Sequence, residues 1–354
     1  MSAAPRLAVP VWQDFGAALF RAAGVDEANA RRITEGFLEA DLLGFHTHGF
    51  ALLPLNLRWI REGMTRVSGE PAVLSGRGAV LNADAAYLAG PLAMGWACEQ
   101  GVQRAREHGV AVLTLRKCQH IGALAPYLLR IAEAGFAAFA MVATPEESLV
   151  TVEGAREPLF STNPFGFSFP TAGDPLLLDM SLAVTAAGKV RVAEAEGRRL
   201  DGEWLLDESG HPTDDPAALA RGMLLPVGGA DHGHKGSGLL VWSEMFAACL
   251  GGWGRLDRTG DDDANSVYLA VHDPDAFGGE DLVRRQASRV VELYEGLAPR
   301  GEGEAPRAPG QRALALRRDA LAVGLALPRR VSAALKRLAA EWGVAVPQEI
   351  AALV

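Results

Sequence analysis

The stretch from residue 110 to 144, VAVLTLRKCQHIGALAPYLLRIAEAGFAAFAMVAT, constrains the fold more than any other part of the chain. It reads as a strand (110–116), a loop, a helix (APYLLRIAEAG) and a second strand, which is a βαβ-like unit and the signature of an α/β protein. In open α/β sheets ligands collect at the carboxyl ends of strands. His120 and Gly122 lie in the loop after the first strand, where chemistry tends to occur; the plainer alternative is a histidine that caps the following helix. No GxGxxG follows any strand and no GxxxxGK[ST] occurs, so a nucleotide, if bound, is not held by an ordinary Rossmann unit or P-loop.

With 354 residues the chain is long enough for one large or two ordinary domains. A net charge of −9 gives no support to a nucleic-acid or anionic-membrane role. The cysteines, Cys98, Cys118 and Cys249, are odd in number and far apart, which suits a reducing cytoplasm better than a disulfide framework. No Cys/His cluster suggests a metal site. No run approaches the ~18 apolar residues of a membrane span, and the start, MSAAPRLAVPVW, does not have the pattern of a signal peptide.

The N-terminal part reads as helical. VWQDFGAALFRAAGV stops near Gly24, Asp26-Glu27 open a second helix that ends at Gly44, and FALLPLNLRWIREG resumes despite Pro54. Between the last two, the loop GFHTHG sets His46, Thr47 and His48 between two glycines, a constrained presentation of polar groups, although a pair of loop histidines is more often at the surface than catalytic. Residues 71–90 read as a strand and a turn, and residues 91–109 as a helix. In residues 160–190 an alternating Phe165/Phe167/Phe169 strand turns through residues 171–174 into an apolar run that ends on Asp179. A carboxylate there is costly unless paired; Asp179 either caps a new helix whose N–H groups face a ligand or belongs to an ordinary hairpin. GHKGSG (233–238) opens an apolar helix and, with Lys235, is either an anion site or a flexible turn. HPTDDP (211–216) is turn chemistry, and Asp261, Asp262 and Asp263 lack calcium-loop spacing, so a solvated loop is expected. A strand (266–272), a helix (281–297), an irregular segment (299–312) and an amphipathic helix (327–344) complete the chain.

Eight pieces in order, EADLLGFHTHGF, KCQHIGALAPY, STNPFGFSFPT, LDMSLAVTAAGKV, DESGHPTDDP, GHKGSGL, YLAVHDPDAF and APGQR, resemble the malate/L-lactate dehydrogenase type 2 family, from about residue 15 to 345. Ureidoglycolate and L-sulfolactate dehydrogenases and Δ1-piperideine-2-carboxylate reductases belong to the same group. The resemblance implies an α/β fold with a non-Rossmann NAD(P)-binding domain on a mixed sheet, plus a mostly helical region built from both termini. It divides the chain into an N-terminal helical region (1–70), an NAD(P)-binding and catalytic domain (71–300) and a returning C-terminal segment (301–354). It further implies a cytoplasmic homodimer with its active site near the interface, NAD or NADP as cofactor, a small-molecule substrate, and no nucleic-acid, membrane or metal partner.

Carried over motif by motif, His48 with Thr47 matches the family's proton donor or acceptor, and His120 matches an acid/base histidine. The resemblance gives His120, Gly122, Ala123, Leu124, Thr162, Asp179, Met180, Ser181, Lys235, Gly236, Pro309, Gly310, Gln311 and Arg312 to the cofactor, with Asp179 also in the catalytic set. It gives His48, Thr144 and Lys189 to the substrate. The chemistry implied is reversible hydride transfer between nicotinamide and the α-carbon of a 2-hydroxy acid; the alternative is reduction of a cyclic or N-methyl imino acid. Two positions depart from the pattern. Leu52 stands where many relatives place a carboxylate-clamping arginine, for which Lys117, Arg116 or Arg58 are the candidate substitutes, and Lys189 stands where the imino acid branch carries an acid.

Overall fold

The computed structural model describes residues 5–258, 263–301 and 305–353. Three N-terminal helices, α1 (Val9–Ala22), α2 (Glu27–Leu42) and α3 (Leu53–Arg61), lead into a hairpin of β1 (Ala72–Arg77) and β2 (Val80–Asp84). Asp26 starts α2 by accepting the Asn29 N–H at 3.0 Å, as an N-cap should. Then follow α4 (Gly90–His108), β3 (Val110–Cys118), α5 (Ala125–Glu133), β4 (Ala137–Ala143), β5 (Val150–Thr151), β6 (Pro158–Phe160), β7 (Phe165–Phe169) and β8 (Leu176–Met180). The chain continues through α6 (Ala187–Ala195), β9 (Leu205–Leu206), β10 (Pro212–Thr213), β11 (Met223–Leu224), α7 (Gly229–Glu244) and β12 (Asn265–His272). It ends with α8 (Glu280–Glu295), α9 (Gln311–Val323), α10 (Arg329–Trp342) and α11 (Gln348–Ala351).

Among the described residues the main sheet has seven strands in the order β1-β2-β3-β12-β4-β7-β8 and is mixed: only β2 and β3 pair in parallel. β3 and β4 run in the same direction around α5, as a βαβ-like unit requires, but β12 lies between them and pairs antiparallel with both. Its run of buried residues suits a central strand. A smaller sheet, β10-β9-β11-β5-β6, surrounds a second core of Val150, Leu205, Leu224 and Leu240.

Helices α4 and α5 cover one face of the main sheet, and the N-terminal helices pack outside them in one continuous core that also holds Val331, Leu335 and Leu338 of α10. The alternation in β7 has the opposite sense to a core strand: Gly166 and Ser168 face α5, and the phenylalanines face the other way. A Cβ on Gly166 would come within 2.8 Å of Leu128 in α5, so the helix sits this close because that position has no side chain. On the opposite face a π-helical turn, Met245–Cys249, covers part of an aromatic row formed by Phe139, Phe165, Trp242, Phe246 and Tyr268. Trp242, Met245, Phe246 and Leu250 remain exposed.

Two local expectations are corrected. Residues 71–90 contain a two-stranded hairpin rather than one strand. Asp179 does not cap a new helix: it lies inside β8, and the next helix begins at Ala187. The GHKGSG segment does open the apolar helix: the backbone leaves helical geometry at His232, and from Gly233 the helix runs unbroken to the end of α7 at Glu244. Asp261 and Asp262 lie outside the described residues.

Candidate active site

Two loops meet where the helical layer touches the ends of the sheet strands. The first links α2 to α3 and carries Thr47 and His48; the second follows β3 and carries His120. Gly122 brings them together. Its φ is +78°, and a Cβ there would lie 2.9 Å from the His48 carbonyl oxygen, so no other residue permits this approach without displacing the loop. The two imidazoles stand 6.2 Å apart, centroid to centroid, inclined by 35°.

Each ring has one nitrogen engaged. The Gly122 N–H donates to His120 Nδ1 at 3.0 Å, so Nδ1 carries a lone pair and the neutral ring holds its proton on Nε2. Thr47 Oγ1 lies 2.8 Å from His48 Nδ1. Both rings keep partial solvent access, yet lie deep enough for burial to disfavour the imidazolium. Burial first, and then the neighbouring His48, push the His120 pKa down to about 4; burial alone lowers that of His48 below its ordinary value. Neutral imidazoles can accept a proton or donate a hydrogen bond, depending on tautomer.

Asp179 has found partners for its carboxylate across the sheet. Oδ2 accepts the N–H groups of Leu124 (2.8 Å) and Ala125 (2.9 Å), which caps the first turn of α5 from another strand. The α5 N-terminus is therefore already occupied by an internal anion. Desolvation outweighs these two bonds and raises the Asp179 pKa to about 6. Ala123 and Leu124 are both buried.

A buried hydrogen-bond chain ties the His120 loop to the strand ends beyond it. The Ile121 N–H donates to Asn265 Oδ1, and Asn265 Nδ2 donates to Thr144 Oγ1. The Thr144 N–H donates to Ser161 Oγ, whose hydroxyl donates to Asn163 Oδ1. Asn163 Nδ2 donates to Glu244 Oε2, whose other oxygen accepts Arg255 Nε. Asn163 holds a φ of +37°, unusual for a residue other than glycine, and the chain of bonds keeps it there. Thr162 is thereby fixed between two buried side chains, and its carbonyl accepts the Leu182 N–H just beyond Ser181. Ser161, Asn163, Glu244 and Asn265 were not expected from the sequence; only the Ser-Thr-Asn-Pro run hinted at them.

The remaining expected positions fall at different distances from the histidines. Gly188, at the start of α6, packs against Thr47, which places the exposed Lys189 at the same loop. Met180 pairs with Phe165 beside Asp179. Pro309 and Gly310 seat on β8: the Leu177 N–H donates to the Pro309 carbonyl, two residues before Asp179. Gln311 and Arg312 then open α9 and, with Arg307, line a cavity of about 360 Å³. Gly236 packs on Val227, whose N–H donates to the Leu182 carbonyl; Lys235 beside it is exposed and lies farthest from the histidines in this chain of contacts. Leu52 packs into the main core. Of its candidate substitutes, Arg116 is held by Asp84 at 2.8 Å and Arg58 is exposed beside Glu62. Lys117 is half-buried in a left-handed conformation three residues before His120.

Comparison with known proteins gives the family and the fold. Residues 8–336 match the model of a family described as malate/L-lactate dehydrogenase. A Δ1-pyrroline-2-carboxylate/Δ1-piperideine-2-carboxylate reductase of Pseudomonas putida is 33% identical over 331 residues, covering 91% of this chain and 93% of its own. Hydroxycarboxylate dehydrogenase B of Escherichia coli O157:H7 is 27% identical, covering 92% and 91%. The crystal structure of malate dehydrogenase from Entamoeba histolytica superposes with a TM-score of 0.91 over 98% of this chain and 100% of its own; at 19% identity it speaks for the fold alone. With a match that spans nearly the whole sequence and a fold shared from end to end, the chain belongs to the malate/L-lactate dehydrogenase family.

Proposed function

We propose that the protein is an NAD(P)-dependent oxidoreductase that interconverts a 2-hydroxy acid and its 2-oxo acid, with His48 as the proton-transferring group and His120 as a hydrogen-bond donor to the substrate oxygen. The observation that carries this is the pair of facing imidazoles, each with Nδ1 engaged. For His48 the tautomer that leaves Nε2 free to accept has Nδ1–H donating to Thr47 Oγ1. His48 Nε2 takes the hydroxyl proton during oxidation and returns it during reduction. His120, with its proton on Nε2, donates to the oxygen on which charge develops. The substrate carboxylate falls to Lys189, beside Thr47, or to Lys117, in place of the arginine that Leu52 replaces.

The residues present fit a nicotinamide dinucleotide. The residues that would line its site are Pro309 and Gly310 on β8, Arg307 and Arg312 beside Asp319 at the start of α9, residues 122–124, Thr162, Asp179, Met180 and Ser181; the Leu177–Pro309 and Leu124–Asp179 hydrogen bonds tie parts of this set together. Lys235 and Gly236 extend it. When bound, the dinucleotide supplies or accepts the hydride; this chain's residues supply alignment and the proton.

A second reading, reduction of a cyclic or N-methyl imino acid, is supported by the 33% identity to the P. putida reductase. Oxidation of NADH and NADPH, followed by absorbance, separates the two. The panel holds pyruvate, oxaloacetate, 2-oxoglutarate, sulfopyruvate, phenylpyruvate, Δ1-piperideine-2-carboxylate, and pyruvate with methylamine. Turnover of an open-chain 2-oxo acid without amine is the expected result; turnover of imines alone assigns the reductase activity instead.

The exposed Trp242, Met245, Phe246 and Leu250 support a homodimer, since an apolar patch of this kind on a protein surface marks an interface. Phe246→Glu is expected to shift the protein from dimer to monomer in sedimentation; a dimer of unchanged stability would place the interface elsewhere. A cytoplasmic location is supported by three free cysteines, two of them buried. No helix of the described residues is long and apolar enough to cross a membrane. The division at residues 70 and 300 is supported by the packing of α10 against α1 and α3.

A further inference from the structure

The loop that presents His48 is wound around a single buried carboxylate. Asp41 lies in the last turn of α2 and is 1% exposed. Its Oδ1 accepts from His46 Nδ1 at 2.9 Å, and its Oδ2 accepts the Phe50 N–H at 2.7 Å. These two donors flank Thr47 and His48 in the chain. Gly49 between them has no room for a side chain: a Cβ would lie 2.2 Å from Asp41 Oδ2. Backbone bonds close the turn at either side, with the Phe45 N–H donating to the Ala40 carbonyl, the His48 N–H to the Phe45 carbonyl and the Leu52 N–H to the Gly49 carbonyl. Phe50 is fully buried, so its N–H has no solvent to turn to if the carboxylate is removed.

We infer that Asp41 is a positioning residue for His48: through His46 and the Phe50 amide it fixes the path of residues 46–50 and so the placing of the His48 ring, without touching that ring. This rests on the reading that His48 meets the substrate. His46 is part of the device, and its pairing with Asp41 explains why the loop carries two histidines of which only one faces His120. Displacement of a reacting group by about 1 Å can cost as much as a hundredfold in rate.

The test compares Asp41→Ala, Asp41→Asn and His46→Ala. Asn retains an oxygen for the Phe50 amide and presents an NH₂ group to His46, which can answer as the other tautomer. Asp41→Ala is expected to lower kcat roughly 10- to 100-fold, with the dissociation constant for reduced cofactor, read by its fluorescence, changed less than twofold. Asp41→Asn is expected to restore kcat to within about fivefold of the starting enzyme, and His46→Ala to fall between them. A second readout needs no substrate: the His48 ring-proton resonance, assigned with a His48→Asn variant, is expected to move in Asp41→Ala and His46→Ala and to stay in Asp41→Asn. A wild-type kcat in Asp41→Ala, or an unmoved His48 resonance, would overturn the inference. Equal losses in Asp41→Ala and Asp41→Asn that track lost cofactor binding and a lowered Tm would also overturn it, since that is a folding role only. If Asp41→Ala does not fold, His46→Ala carries the same two readouts with the Phe50 amide still paired. Inactivity of the unsubstituted enzyme on both oxo acids and imines would defeat the proposed function, while the resonance still decides the role of Asp41.

Discussion

His48→Ala and His120→Ala are each expected to lower kcat by at least two orders of magnitude, a loss of about 2.7 kcal/mol of transition-state stabilisation, but with different pH profiles. Oxidation of the hydroxy acid needs His48 neutral. Burial holds its pKa below the ordinary value of 6.5, so the oxidative rate is retained at neutral pH and lost as pH falls through that lowered pKa. Reduction needs the same ring protonated, so its rate is lost as pH rises through the same point. His120, with a pKa pushed down to about 4, is neutral throughout this window and adds no limb of its own. The profile should therefore flatten in His48→Ala and keep its shape, at reduced height, in His120→Ala. Initial rates in both directions, taken with saturating cofactor between pH 5 and 9, provide the check. Full turnover by His120→Ala would remove that residue from the mechanism, and a His48→Ala enzyme that kept the limb would assign the titration to another group.

The outline of the fold was legible where periodicity is strong. The N-terminal helices, the unit from residue 110 to 144, and the β7–β8 pair all carry long apolar patterns, and the ordered motifs around His48 and His120 led to the family. Other elements left little trace for a physical reason. The strands of the second sheet are two or three residues long, too short for any period to register, and their core is shared among distant segments such as Val150, Leu205 and Leu224. Helix α9 fully buries only Leu314 and Ala320, so its sequence has almost no apolar stripe, and the segment before it reads as irregular. Within the site, the histidines stood out because imidazoles between glycines are uncommon. The groups that hold them did not: Asn265 and Ile121 are separated by 144 positions, as are Asn163 and Glu244 by 81, and no local pattern announces a hydrogen bond over such spans. β12, inserted between β3 and β4 from far along the chain, is the topological fact that brings Asn265 there.

Asp179→Ala is expected to destabilise the protein and to weaken catalysis at once, because one carboxylate fixes the geometry of both the α5 terminus and the His120 loop. Its removal leaves the Leu124 and Ala125 amides, both in buried residues, without an acceptor. Each buried orphan costs roughly 1–3 kcal/mol, and at pH 7 relief of the carboxylate's own desolvation offsets much of it. The net loss in urea unfolding is therefore expected to be largest at about pH 5, where the acid is mostly protonated, and smaller at pH 7. A roughly 100-fold loss of kcat accompanies it as the loop bearing His120 relaxes. Asp179→Asn behaves differently, since its amide oxygen still accepts from α5. The folded pKa, about 6, lies above the unfolded value of 3.8, so the folded state favours the protonated acid. Stability from this group is therefore complete below pH 3.8 and is lost as pH rises through about 6. Asparagine cannot ionise, so Asp179→Asn should gain on the parent protein as pH rises across that interval and lose this group's part of the pH dependence. An Asp179→Ala protein as stable as the parent at about pH 5 would show that the α5 terminus finds other acceptors, and an Asp179→Asn protein with the parent's full pH dependence would assign the titration to other carboxyls.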